Sequence, residues 1–167
     1  MLVPLKYGWY DYNDGEVSGS MRDLNVLLNN QLLFGLSETQ LQMLADVAEE
    51  KVFTAGETIF REGEMGDSLV IIVSGKADLI KKKKDGSEVI LAACSKGAFF
   101  GEMTLINVEP RSATIRATED TEALFLKNTA LGDIFQTDRE LFIVLLINMT
   151  RILSKRLRQA NNRLMDA

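Results

Sequence analysis

Between about Lys51 and Lys127, short β-prone runs are broken at close intervals by Gly56, Gly63, Gly66, Gly75, Gly86, Gly97 and Gly101. That rhythm predicts a small antiparallel β-barrel of double-stranded, jelly-roll type, built from short strands joined by tight turns. The clearest turns are Ser74-Gly75, between predicted strands over Ser68–Val73 and Lys76–Lys81, and Asp85-Gly86, whose left-handed preference predicts a two-residue hairpin loop. Lys81 to Lys84 lie at the entry of that hairpin, where four lysines could grip an acidic partner but more often keep a strand edge soluble.

Helical patterns flank the barrel on both sides. Leu24, Leu27, Leu28 and Leu32 recur at helical spacing, and a second helix is predicted from Ser37, whose hydroxyl caps it while Gln40 closes a capping box. Helical periodicity returns after Lys127 and is continuous from about Asp138 to Leu164. Along it Leu146, Thr150, Leu153, Leu157, Ala160 and Leu164 form a seam in steps of four and three, suited to pairing with the same helix of a second copy. A second apolar row at Leu145, Met149 and Ile152 suits packing on the helix's own barrel. The expected organisation is an arm over 1–22, rich in Trp9, Tyr7, Tyr10 and Tyr12; a barrel with flanking helices over 23–136; and a carboxy-terminal lid and dimerisation helix over 137–167.

Composition removes several function classes. Cys94 is the only cysteine and histidine is absent, so intramolecular disulfides, the usual zinc sites, a histidine-bound cupin metal and most histidine acid–base chemistry are not expected, and neither is an enzyme. The longest apolar run, Leu141 to Ile147, is too short to span a bilayer. The amino terminus lacks a basic patch followed by an apolar stretch, so a cytoplasmic protein is expected. Net charge is −5, yet residues 151–167 hold five of the 19 basic and one of the 24 acidic side chains. A basic helix on an acidic body argues against general DNA affinity.

The most informative stretch runs from Phe99 to Ala117, with Phe-Gly-Glu at 100–102, Leu105, and Pro-Arg-Ser-Ala-Thr at 110–114. It resembles the phosphate-binding cassette of cyclic-nucleotide-binding domains, as found in catabolite activator proteins, regulatory subunits of cyclic-nucleotide-dependent kinases and cyclic-nucleotide-gated channels. The surrounding glycines extend the likeness to residues 24–164. The residue chemistry suits such a ligand. Gly101 permits close backbone approach, and Glu102 to Ile106, including Met103 and Thr104, can form a short helix whose amides face an anion. Arg111 and the amides of Ser112 and Ala113 suit a phosphate, while ionised Glu102 suits a ribose hydroxyl. Thr104 stands where the family often has alanine or glycine, a change that would tune the pocket without closing it.

By similarity to the catabolite activator, the apolar walls would be Phe60, Leu79 and Leu91, with Arg156, Ala160 and Asn161 of the long helix approaching the base and Asn162 as a further candidate. An asparagine amide can pair with both the amino and ring-nitrogen edges of adenine. Cyclic AMP is therefore the favoured ligand, with cyclic GMP open because Ser112 could meet a guanine amino group. The function implied is a sensor in which ligand closes the cassette and draws the long helix onto the base, relaying occupancy to an unidentified downstream protein. Three rivals stand beside it. In the first, Glu102 and Arg111 form only a structural ion pair in a ligand-free scaffold. In the second, the chain is a transcription regulator of catabolite-activator type; no helix-turn-helix follows the long helix before Ala167, so direct nucleic-acid binding is not expected unless the chain is a fragment. Hydrolytic enzyme chemistry is the weakest, since no activated nucleophile accompanies the acid.

Overall fold

The computed structural model describes residues 30–105 and 109–165. The aromatic arm, the helical spacing at Leu24, Leu27 and Leu28, and Ile106 lie outside the described residues. The chain enters through a hydrogen-bonded turn at 31–35 that buries Leu32 and Leu33. Helix α1 (Glu38–Val47) follows, opened by the expected capping box: the Gln40 N–H donates to Ser37 Oγ at 3.2 Å and the Ser37 N–H donates to Gln40 Oε1 at 3.0 Å.

Among the described residues eight antiparallel strands come next: β1 (Glu49–Phe53), β2 (Thr58–Phe60), β3 (Ser68–Ser74), β4 (Lys76–Lys82), β5 (Glu88–Ser95), β6 (Phe99–Phe100), β7 (Thr114–Ala117) and β8 (Thr121–Lys127). They form two four-stranded sheets, ordered β1-β8-β3-β6 and β2-β7-β4-β5. The jelly-roll expectation holds as a sandwich of two sheets, hydrogen-bonded within each sheet and not closed into one cylinder. Gly75 is where the chain leaves one sheet for the other, since β3 pairs with β6 and β8 whereas β4 pairs with β5 and β7.

β3 shows why its sequence is apolar without alternation. Val70 and Ile72 face the space between the sheets, with Ile59, Ala77, Phe100, Ile115, Ala123 and Phe125. Leu69, Ile71 and Val73 face the helices, with Leu41, Leu44, Phe99, Leu126, Leu131, Leu141, Leu145 and Met149. A strand buried on both faces has no polar side to present. Each of the β3 side chains Leu69, Val70, Ile71, Ile72 and Val73 contributes roughly 1.5–3 kcal/mol by leaving water.

The hairpin at Asp85-Gly86 departs from expectation. The Lys83 N–H donates to Ser87 O at 2.8 Å and the Gly86 N–H donates to Lys83 O at 3.0 Å, which closes a three-residue loop over 84–86. Only Gly86 takes positive φ there, at 84°, whereas the two-residue turn needs it at both central residues. The Asp85 carboxylate is engaged instead with the Ser87 N–H at 2.9 Å and hydroxyl at 2.6 Å, which favours the wider turn.

After β8 come α2 (Asn128–Thr137) and the long α3 (Arg139–Met165). Asp138 caps α3 by accepting the Leu141 N–H at 2.9 Å and also accepts Gln40 Nε2 at 3.0 Å, so the root of α3 is tied to α1. Buried Asn148 donates to the Leu32 and Phe34 carbonyls at 3.0 and 2.7 Å, a second tie. Leu145 and Met149 are buried and Ile152 half-buried on the domain's own core; Leu146 and Leu153 are half-buried, while Thr150, Leu157 and Ala160 are exposed. The Leu164 side chain lies outside the described residues. No helix among the described residues is long and apolar enough to cross a membrane.

Candidate functional site

A cavity of about 570 Å³ opens between the second sheet, the segment after β6 and the distal half of α3. That volume lies within the roughly 300–1,000 Å³ of small-molecule sites. Phe60, Leu79, Leu91, Gly101, Glu102, Met103, Thr104, Arg111, Ser112, Ala113, Arg156 and Ala160 all line it. These twelve, all singled out from the sequence, are thus brought together from six segments. Asn161 is exposed and is not among the lining residues, and neither is Asn162. Arg156, Gln159 and Ala160, at positions i, i+3 and i+4, share the face of α3 turned to the cavity. Asn161 lies about 140° around the helix from Arg156. Gln159, which the sequence reading did not single out, lines the cavity where Asn161 does not.

Arg111 dominates the electrostatics. It is 7% exposed, yet among the described residues its Nη1 has no hydrogen-bond partner, while Nη2 donates to Ser68 Oγ at 3.2 Å. Its guanidinium stacks on the Phe60 ring at 4.4 Å from the centroid. Burial lowers the Arg111 pKa from its ordinary value, an effect opposed by the carboxylates of Asp67, Glu102 and Glu64. Among the described residues Arg111 forms no ion pair with Glu102. A buried donor without an acceptor costs about 1–3 kcal/mol, so such a group calls for an anion. The structural-pair rival therefore lacks its pair.

Two glycines make room for this guanidinium. Gly101 has φ +79°, and a Cβ there would overlap Arg111 Nη1 and stand 2.5 Å from the Ser68 carbonyl oxygen. A Cβ on Gly66 would stand 2.7 Å from Arg111 Cζ. Glu102–Leu105 form a 3-10 turn. Thr104 spends its hydroxyl on the Gly101 carbonyl at 2.7 Å, and its own carbonyl accepts Asn128 Nδ2 at 2.8 Å. Thr104 therefore stiffens the turn and presents its methyl side.

The apolar wall has its own cause. The register of β4 against β5 shifts from Leu79↔Ala92 to Ile80↔Ile90, leaving Leu91 as the unpaired residue of a bulge at the cavity rim. Cys94 also lines the wall, and burial raises its thiol pKa. Arg156 donates to the Phe99 carbonyl at 3.1 Å and stacks on the Phe99 ring at 4.5 Å, tying α3 to the strand that enters the cassette. Ser68, Gln159 and Lys81 were not legible as site residues. Lys81, expected chiefly to keep the strand edge soluble, pairs with Glu62 and donates to the Ser112 carbonyl at 2.6 Å. The available signal was its two-residue offset from Leu79, which puts both on one face of β4.

A family model described as the cyclic nucleotide-binding domain matches residues 50–138. The chain belongs to the cyclic nucleotide-binding domain family. This domain is 33% identical over 130 residues to the cyclic AMP receptor protein of Thermus thermophilus, covering 78% of this chain and 58% of that protein. Its fold is similar to that of a cyclic nucleotide-binding domain from Methylobacillus flagellatus, with a TM-score of 0.80 at 25% identity, covering 88% of this chain and 85% of that one. It is also similar to the regulatory domain of Toxoplasma gondii PKA crystallised with cAMP, with a TM-score of 0.65 at 27% identity over 81% of this chain and 48% of that one. The chain spans 58–61% of the length of the first curated relatives it matches.

Proposed function

We propose that this cyclic nucleotide-binding domain is a cytoplasmic cyclic AMP sensor and not an enzyme, and that it relays occupancy through α3. The observation that carries the reading is the buried Arg111 Nη1, unpartnered at the wall of a cavity that also holds Glu102 and Gly101. A single phosphate charge supplies the missing acceptor, with the Ser112 and Ala113 backbone beside it. Glu102, acceptor-only when ionised, takes a ribose hydroxyl. Phe60, Leu79 and Leu91 hold the base between apolar surfaces. Gln159 offers an amide that can pair with adenine as an asparagine amide would. A relative named as a cyclic AMP receptor and a similar domain crystallised with cAMP support the choice of base.

Ligand that touches both the cassette and α3 favours one placement of that helix over others, which is sufficient for relay. The exposed Thr150 and Leu157 lie on the surface through which α3 would meet a second copy. Calorimetric titration with cyclic AMP and cyclic GMP, with Arg111→Ala in parallel, tests the binding. Saturable binding, tighter for cyclic AMP and lost in the variant, is expected; no heat at millimolar ligand overturns the reading. Distances between spin labels on α3 and β5 that do not change on binding would overturn the relay.

A further inference from the structure

Residues 111–114 are framed by the loop between β2 and β3. The Arg111 N–H donates to Glu64 O at 2.7 Å, the Arg111 carbonyl accepts the Gly63 N–H at 2.8 Å, and the Glu62 N–H donates to Thr114 Oγ1 at 3.0 Å. Within that frame the Ser112 carbonyl is held by a side chain, Lys81, whose Nζ donates to it at 2.6 Å. Lys81 is itself paired with Glu62 Oε1 at 2.6 Å, while Glu62 Oε2 accepts the Lys82 N–H at 3.1 Å. The bond from Lys81, then that from the Lys82 backbone, holds the Glu62 carboxyl below the usual carboxylate range, so the pair stays charged.

The Lys81 side chain is 43% exposed, and ion pairs at such sites add little to stability. Its effect is on orientation. In a trans peptide the carbonyl and the following N–H point in opposite directions. With the Ser112 oxygen drawn to Lys81, the Ala113 N–H is directed away from Lys81, and both Ser112 and Ala113 line the cavity beside Arg111.

We infer that Lys81, locked by Glu62, is a positioning residue for the phosphate: it sets the Ser112–Ala113 peptide against which one exocyclic phosphate oxygen docks. This rests on the cyclic nucleotide reading above. It adds a residue outside the cavity lining, from a lysine run that otherwise reads as a solvated strand edge.

The two exocyclic oxygens of a cyclic phosphate are inequivalent, so the Sp and Rp phosphorothioate analogues of cyclic AMP report how that peptide is set. Affinities for cyclic AMP and both analogues would be measured for the wild-type chain, Lys81→Met and Lys81→Arg. Lys81→Met is expected to weaken cyclic AMP binding about tenfold, the effect of losing one charge-assisted hydrogen bond, and to narrow the Sp-to-Rp affinity ratio. Lys81→Arg, which keeps a cationic donor, restores most of both.

If Lys81→Met leaves affinity and ratio unchanged, or weakens both analogues equally with the ratio intact, the positioning role is wrong while the binding reading stands. If wild type binds none of the three, both fall, and that is seen before any variant is made. Should Lys81→Met fail to fold by thermal melt, Glu62→Gln, which keeps the lysine and loosens its anchor, must shift the ratio in the same direction; an unchanged ratio overturns the inference.

Discussion

Replacing Arg111 with methionine separates a site built for an anion from a structural ion pair. Methionine fills similar volume without a charge. The change removes a buried cation whose unpartnered Nη1 costs about 1–3 kcal/mol in the unliganded protein. It also removes the Ser68 hydrogen bond, worth about 1 kcal/mol, and the stacking on Phe60, worth about 0.5–2 kcal/mol. These terms nearly cancel, so unliganded Arg111→Met should melt within about 1 kcal/mol of wild type, roughly 2–4 °C for a chain of this size. Binding behaves differently, because loss of a buried guanidinium facing a phosphate leaves that charge uncompensated; an affinity loss of at least about 100-fold follows from roughly 3 kcal/mol of charge-assisted bonding. Scanning fluorimetry reads both effects in one experiment. At ligand near 100 times Kd, wild type gains about 2.7 kcal/mol, and the variant at the same concentration gains at most about 0.4 kcal/mol. The reasoning is refuted if Arg111→Met loses more than about 3 kcal/mol without ligand, which makes Arg111 a structural residue, or if it keeps the ligand-induced rise.

Gly101→Ala should lower stability by about 2–4 kcal/mol, combining the left-handed backbone penalty with overlap against the Ser68 carbonyl, and should displace Arg111 enough to abolish binding; denaturant melts and calorimetry check it. Glu102→Gln should weaken cyclic AMP about tenfold while leaving 2′-deoxy cyclic AMP almost unaffected, since the deoxy analogue lacks the hydroxyl assigned to that carboxylate; equal loss for both ligands would remove the ribose role. The pKa of Asp138 lies below its ordinary value because of the Leu141 N–H and then the Gln40 side chain. A depressed folded-state pKa gives stability that is present above the unfolded value and lost as pH falls through the folded one. Asp138→Ala should therefore flatten the acid limb of stability below about pH 4, and an acid limb identical to wild type would show that the cap is not what titrates.

The strands and most of the residues that line the cavity were legible because their determinants are local. Glycine spacing marked the turns, Ser37 and Gln40 lie within one helical turn of each other, and the Phe-Gly-Glu and Pro-Arg-Ser-Ala-Thr segments carry the glycine, acid and arginine in one stretch of chain. What stayed hidden depends on partners far apart in sequence. The bulge that leaves Leu91 unpaired is a relation between β4 and β5. That Gln159 and not Asn161 faces the cavity depends on the rotation of α3 about its axis, which its ties through Asp138 and Asn148 to residues more than 90 positions away help to set. Lys81 read as one of four solvated lysines until folding set it beside Glu62 and the Ser112 carbonyl, 31 positions on. The turn at Asp85 went wrong for a smaller reason: the Ser87 hydroxyl and amide compete for its carboxylate. Sequence alone determined which chemistry the chain carries, because side-chain type and short spacing are local properties. Tertiary structure decided which groups face one another and left Arg111 buried with an open donor, because burial and hydrogen-bond satisfaction are properties of the packed whole.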